Sequence, residues 1–388
     1  MKISLFSISS PLHSDLPALE EDLFIKDIER SLGARFSIFG NDFSSYGTAA
    51  SSVIYVRTGG TEGIFRSLGL KGSFRLLTSG KSNSLAAAME ILSYINACGG
   101  NGEILHGTPG YIAGRLLKGE TEVGPKGENE GFCHGALRPM PAVNLGGARL
   151  GVIGRPSDWL ISSDVDYVAV KEKFSAELID IDIDELVEDV RRSGCDLRSF
   201  EGSEAIHKSL LGLVDRYRLD GLTLRCFDLL DAIGNTGCLA LARLNASGIP
   251  SSCEGDIPAL LSMMVAFKQT GCPGFQCNLS RIEGDELLFA HCTVPLSMVK
   301  DYSYATHFES GIGTAIKGEL PEGDYTIFKI SPNLEQMALI PATLVRNEGE
   351  SLLCRTQIVL KAVGAAGYFL HSPLANHHII VPGSLMTT

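Results

Sequence analysis

Residues 249–295 read IPSSCEGDIPALLSMMVAFKQTGCPGFQCNLSRIEGDELLFAHCTVP, and the fold follows from how this stretch divides. The apolar Ile249 and Pro250 lead through small residues to Glu254 and Asp256. A run from Pro258 to Val265 then predicts a helix with proline in its first turn. Two carboxylates therefore stand at a strand-to-helix turn. Positions i and i+2 of an extended segment share a face, so Glu254 and Asp256 are expected to converge on one cation or one substrate. An aspartate just before a helix also serves as its N-cap, accepting from the free N–H groups of the first turn. Beyond the helix, 275–292 predicts a hairpin that turns at Glu283-Gly284-Asp285 and ends in His291-Cys292.

Working outward, the sequence is long for one core: 388 residues predict two or three domains. The formal net charge of −12 disfavours nucleic acid and anionic membrane as main partners, because both require a basic surface. Small uncharged ligands and protein partners remain. The first residues, MKISLFSISSPLHSDLP, predict a first strand and not a signal peptide. No 18-residue apolar window occurs, so a soluble protein is expected. Ten cysteines are scattered without a CxxC pair, the pattern of reduced thiols in a cytoplasmic protein.

Residues 1–117 alternate apolar runs (3–8, 53–56, 75–78, 104–106) with helical patterns (16–32, 84–97), which predicts a parallel sheet wrapped by helices. The turns at 58–62 (TGGTE) and 79–84 (SGKSNS) each follow a strand and precede a helix, where backbone N–H groups can bind an oxygen-rich ligand. Gly80-Lys81-Ser82 lacks the upstream glycine of a P-loop, so nucleotide binding is rejected. Asn83 or Ser84 is expected to cap the helix. Residues 118–146, rich in Gly, Pro and charge, predict a long connection with a functional loop around His134 and Arg138. A second alternation begins at Ala148, with an acidic helical run at 182–192, a strand at 222–226 and one helix from Phe227 to about Asn245. Trp159, the one tryptophan, follows a strand and serves either as core or as a wall for a sugar face. From Phe275 onward, short strands with turn signals at 283–285, 321–324 and 347–350 predict an antiparallel barrel-like domain. The adjacent His377 and His378 on a strand face opposite sides, so one of them at most enters a given site.

The motifs CEGD (253–256), HCTVP (291–295) and NHHIIVPG (376–383), with GVIGRPSDWL (151–160) and HFESGIGTAIKGELPEGDYTI (307–327), resemble the L-fucose isomerase and L-arabinose isomerase superfamily. The likeness is to its short fucose isomerase-like members. The N-terminal part matches in layout and in SNSLAAAMEIL (82–92). The resemblance implies an α/β fold: two Rossmann-like α/β domains (1–146 and 147–272) followed by a C-terminal antiparallel β-barrel-like domain (273–388). It further implies aldose–ketose isomerisation at a divalent metal, most often Mn2+, with Mg2+ and Co2+ as alternatives, in a homo-oligomer, trimeric or hexameric, whose pocket lies between subunits. By resemblance Asp256 falls on a metal-binding aspartate, and His378 or its neighbour His377 on the C-terminal metal histidine. The chain departs at the third ligand. Where the long enzymes carry a glutamate, residues 224–248 hold Asp228, Asp231 and Cys238 but no Glu, and Glu254 is the substitute two residues from Asp256.

Such residue types suit the chemistry. Isomerisation moves a proton between C2 and C1 beside a carbonyl, through an enediol whose charge develops on O1 and O2. Asp256, His378 and Glu254 are expected as metal ligands, Glu254 as acid–base group together with Asp256 and His291, and Trp159, His307 and Asn376 as substrate contacts. Oxygen and nitrogen donors without thiolate suit Mn2+. The competing classes are a sugar-binding or regulatory protein on the same fold, and another carbanion reaction, such as aldol cleavage of a modified sugar.

Overall fold

The computed structural model of the protein describes residues 2–11, 13, 15–47, 51–118 and 135–385. The chain opens with β1 (Ser4–Ile8), α1 (Leu23–Leu32), β2 (Ser37–Gly40), β3 (Ser52–Val56), α2 (Glu62–Ser67), β4 (Ser73–Leu77), α3 (Ser84–Ala97), β5 (Asn101–Leu105) and α4 (Pro109–Leu117). The five strands form one parallel sheet in the order β2-β1-β3-β4-β5. β1 and β3 are buried at every position, as central strands covered on both faces must be. Asp22 caps α1 by accepting from Phe24 N–H, and Thr108 caps α4 ahead of a first-turn proline. The strand order reverses between β1 and β3, and such a switch point opens a crevice beyond the carboxyl ends of the strands.

After β6 (Leu137–Pro139), a second parallel sheet forms from β7 (Ala148–Ile153), β8 (Ala176–Ile181), β9 (Gly221–Leu224) and β10 (Ser251–Cys253), in the order β10-β9-β7-β8. Its helices are α5 (Tyr167–Phe174), α6 (Ile183–Arg192), α7 (Phe200–Tyr217), α8 (Asp228–Ile233), α9 (Cys238–Ala246) and α10 (Ile257–Thr270). The single helix expected over 227–245 is two. Gly234 takes the left-handed conformation (φ 66°), and the Asn235 amide donates to the carbonyls of Leu197 and Ser199, ending α8.

The remaining strands are β11 (Phe275–Glu283), β12 (Glu286–His291), β13 (Asp301–Ala305), β14 (Ala315–Glu319), β15 (Gly323–Ile330), β16 (Gln336–Glu348), β17 (Thr356–Lys361) and β18 (His378–Pro382), with α11 (Ala366–His371) before the last. Six of them close an antiparallel barrel, β15-β18-β11-β12-β17-β16, completed by the pairing of β15 with β16. β13 and β14 form a separate ribbon. Part of the expected connection over 118–146 is a strand: β6 pairs with β16, placing Arg138 opposite Met337. His134 lies outside the described residues.

Two helices join the layers. α3 is buried from Ser84 through Leu92 because the first sheet (Phe6, Ile54) and the barrel (Phe275, Phe289) pack on it from different sides. α10 likewise joins Val152 of the second sheet to Phe328 and Ile379 of the barrel. Among the described residues, no helix is long and apolar enough to cross a membrane.

His106, just after β5, ties the first sheet to the barrel. Its Nε2 accepts from Ile282 N–H at 3.1 Å, so the neutral ring carries its proton on Nδ1 and donates to Thr78 Oγ1 at 2.8 Å. Burial, aided by the nearby Arg281 charge, pushes its pKa down from 6.5 to about 4. Between those values the unfolded chain takes up a proton that the folded chain refuses. Stability therefore falls on acidification by about 1.4 kcal/mol per pH unit from this residue. In His106→Gln, urea melts at pH 6.5 and 4.5 should differ by about 2 kcal/mol less than in the wild type; an unchanged difference would refute a neutral, buried His106.

Candidate active site

The carboxyl ends of both parallel sheets and one end of the barrel face a common cavity of about 310 Å³. Ser10 beyond β1, Gly59 and Gly60 beyond β3 and Asn83 beyond β4 form one wall. Trp159, Phe227 and Glu254, following β7, β9 and β10, form the second. The barrel supplies Asn278 from β11 and Asn376 just before β18, with Glu309 from the loop before β14. The volume lies at the lower end of the ~300–1,000 Å³ usual for small-molecule sites.

A tight turn delivers Glu254. Glu254 and Gly255 are successive left-handed residues (φ 64° and 63°), and a Cβ on Gly255 would lie 2.8 Å from Arg155 O. The turn sends Glu254 into the cavity and Asp256 beneath it. Glu254 Oε1 lies 3.6 Å from His291 Nε2 and 3.5 Å from His377 Nε2, while Oε2 accepts from Trp159 Nε1 at 3.2 Å. Each imidazole is anchored through its other nitrogen: His291 Nδ1 to Thr293 Oγ1 at 2.9 Å, His377 Nδ1 to Asp256 Oδ2 at 2.9 Å. This is how imidazole ligands are oriented in metal centres, with Nε2 left to bind. Cys253, Glu254 and His291 each offer a ligand atom, all within 4.8 Å of one another.

Asp256 has a different place from the ligand expected of it. Its Oδ1 caps α10 by accepting from Ala259 N–H at 2.7 Å, and its Oδ2 faces both His377 and Lys329 Nζ, the latter at 3.5 Å. The Lys329 side chain is fully buried. Burial alone would raise Asp256, yet Lys329 and His377 hold it below the usual carboxylate range. Glu254 is held low in the same way by His377 and His291 against its burial. Burial works against a charged His377, but Glu254 and Asp256 prevail and raise it to about 10. In the absence of a cation, His377 is thus a proton-bearing clamp between two carboxylates. A proton and a metal ion are alternatives at its Nε2.

His378 points to the other side of β18, away from Glu254. Its Nδ1 donates to Asn376 O at 2.8 Å, and its Nε2 accepts from Tyr368 Oη at 2.9 Å. Burial, then the Lys329 charge, keep it neutral with a pKa of about 3. Of the adjacent pair, His377 is the one in the site. Trp159 is a wall residue, edge-on to Phe227 at 5.2 Å and covered by the Arg225 guanidinium at 4.7 Å. His307 backs Phe227 at 5.7 Å and bonds Ser310, behind the aromatic wall. Asn376 Oδ1 is buried without a partner at the cavity.

Sequence reasoning missed Glu62, Asn83, Asn278 and Glu309 as site side chains. Asn83 stands before α3 in the left-handed conformation (φ 57°) and makes no side-chain cap; its Nδ2 donates to Glu309 Oε1 at 2.7 Å. Ser84 Oγ instead accepts from Ser79 N–H and donates to Val56 O. The available signal was the pair of strand-to-helix turns at 58–62 and 79–84, whose position is right though side chains, and not N–H groups alone, face the cavity.

No family model matches the chain. Two curated relatives are similar to part of it: the sulfoquinovose isomerases of Priestia aryabhattai and of Priestia megaterium (strain ATCC 12872 / QMB1551). Each is 31% identical over 121 residues, covering 29% of this chain and 27% of the relative. The chain thus spans about a quarter of the length of the curated relatives it matches.

Proposed function

We propose that the protein is an aldose–ketose isomerase acting on an uncharged monosaccharide, with a divalent cation held by Glu254, His291 and His377. The observation that carries this reading is Glu254 facing two imidazole Nε2 atoms, each ring anchored from behind, at the base of a cavity of sugar size. The partial likeness to sulfoquinovose isomerases supports the reaction class. Cys253 is a weaker ligand, since its contact with Cys226 and its burial push the thiol up. One carboxylate and two imidazoles suit Mn2+ or Co2+, with Mg2+ less favoured by the nitrogens.

Bound there, the cation would supply Lewis-acid stabilisation of charge on the sugar oxygens. The chain does the rest. Trp159 and Phe227 offer apolar faces to the C–H side of a ring. Glu62 Oε2, Asn83 Oδ1, Asn278 Oδ1 and Asn376 Oδ1 are buried acceptors without partners, and all four belong to cavity-lining residues. A buried acceptor left empty is costly, and hydroxyl groups are the donors that satisfy it. Among the described residues the wall carries five carboxylates and no Lys or Arg. A phosphate or sulfonate on the sugar would find no Lys or Arg on that wall to pair with.

Metal analysis tests the ligand set. Mn2+ titration should give one site per chain, lost or weakened at least 10-fold in His377→Gln and retained in His378→Gln. Equal binding by both variants would remove His377 from the site. Asp256→Asn keeps a cap acceptor but leaves Lys329 without its counter-charge in the interior, so about 3 kcal/mol or more of stability should be lost in a denaturant melt.

For the reaction, the Mn2+-loaded protein in D2O should place deuterium at C2 of one sugar from a panel of deoxyhexoses, pentoses and hexoses. NMR detects this even at low net conversion. Sugar binding without exchange would favour the sugar-binding reading, and the 6-phosphates of the same hexoses should compete at least 10-fold more weakly than the parent sugars.

A further inference from the structure

We propose that Glu62 is the group that carries the substrate proton, removing it from C2 and returning it at C1. The inference rests on the isomerase reading above and assigns to the first parallel sheet a role beyond shaping the wall.

A proton carrier needs a carboxylate oxygen that is dry, aimed at the substrate and free of other partners. Five carboxylates line the cavity among the described residues. Glu254 is committed, with Oε1 facing two imidazoles and Oε2 bonded to Trp159. Asp228 accepts from Arg225 Nε at 3.0 Å, and Asp231 is exposed on α8. Glu309 Oε1 is bonded to Asn83 and its side chain is only half-buried. Glu62 is 2% exposed, and its Oε2 has no partner.

The backbone that presents Glu62 is firmly fixed. Ser10 N–H donates to Thr58 Oγ1 at 2.9 Å, and Thr61 Oγ1 donates to Thr58 O at 3.0 Å, knitting the turn after β3. Gly60 is left-handed (φ 69°), and a Cβ on Gly59 would lie 3.0 Å from Asn83 Cβ. The turn therefore passes close under the cavity with its first helical side chain directed inward. Burial pushes the Glu62 carboxyl well above the usual range, and the charges of Glu90, Glu254 and Glu309 act in the same sense. A carboxyl raised in this way holds a proton more readily than a solvated one, which suits a group that must return the proton it takes.

The step balances without any oxidant. Glu62 takes the C2 proton while the C2–H electron pair becomes the C1=C2 bond and the C1=O pair moves to O1, which is protonated. The enediol then loses the O2 proton as C2=O forms, and the C1=C2 pair takes the proton back from Glu62 at C1. One proton is lost at O2 for the one gained at O1, and the carboxylate is regenerated.

The test uses the Mn2+-loaded full chain and the sugar that the wild type exchanges fastest in D2O. Glu62→Gln should lower deuterium incorporation at C2 by roughly 100-fold or more while the sugar Kd, read by calorimetry, stays within about 3-fold. Glu62→Asp, which keeps a carboxylate, should recover part of the rate. Exchange by the wild type together with undiminished exchange in Glu62→Gln overturns the role of Glu62 alone. Absence of exchange in the wild type instead overturns the isomerase reading, so the two failures are distinguishable.

Discussion

The buried carboxylate of Asp256 is the constraint on which the arrangement depends. It accepts from the first turn of α10, from His377 at the start of β18, and faces Lys329 of β15. Three segments thus converge on one group that has no solvent to fall back on. A lysine with no exposed side-chain surface is tolerable only beside a counter-charge, and removing one member of such a pair typically costs about 3–5 kcal/mol. The pairing therefore fixes how the barrel sits against α10. By holding His377 Nδ1 it also fixes which ring nitrogen is offered to the cavity. Structure and chemistry are set by the same contact.

Around that contact the cavity collects polar groups that cannot satisfy one another. Glu90 of α3 ties two approaching strands of chain, accepting from Ser162 N–H at 2.7 Å and Asn376 N–H at 2.8 Å. It is a positioning group, and its burial raises it above the ordinary carboxylate range. The side-chain oxygens of Asn278 and Asn376, at the cavity, are left open. Natural interiors pair nearly all such atoms, so several open acceptors in one place mark where a ligand completes the structure. Folding stability has been given up locally in favour of a preorganised lining.

The sequence disclosed the strand-helix alternation, the barrel hairpins and the turn at 253–256, because each depends on local periodicity or turn chemistry. It also disclosed that one of His377 and His378 at most faces inward, since β-strand alternation is local. Which of the two does so depends on Asp256, 121 residues away, and no local rule reaches that far. The break at Gly234-Asn235 was hidden because the flanking apolar spacing runs on as if one helix continued. β8 was hidden by its acidic residues, Glu177 and Asp180, on an otherwise apolar strand. Glu62 is illegible for a simpler reason: a glutamate at the start of a short helix is ordinarily solvated, and its burial cannot be read from its neighbours in sequence.

The closing strand β18 has a consequence for how the protein is made. It follows every other described strand, and it seals the barrel between β15 and β11. At ~5–20 residues per second, a ribosome delivers Asp256 roughly 6 to 24 s before His377. Until β18 pairs with β15 and β11 the barrel is open, and the face of α3 that packs on Phe275 and Phe289 lacks its finished partner. Synthesis speed over the barrel segment therefore sets how long that face waits for its cover.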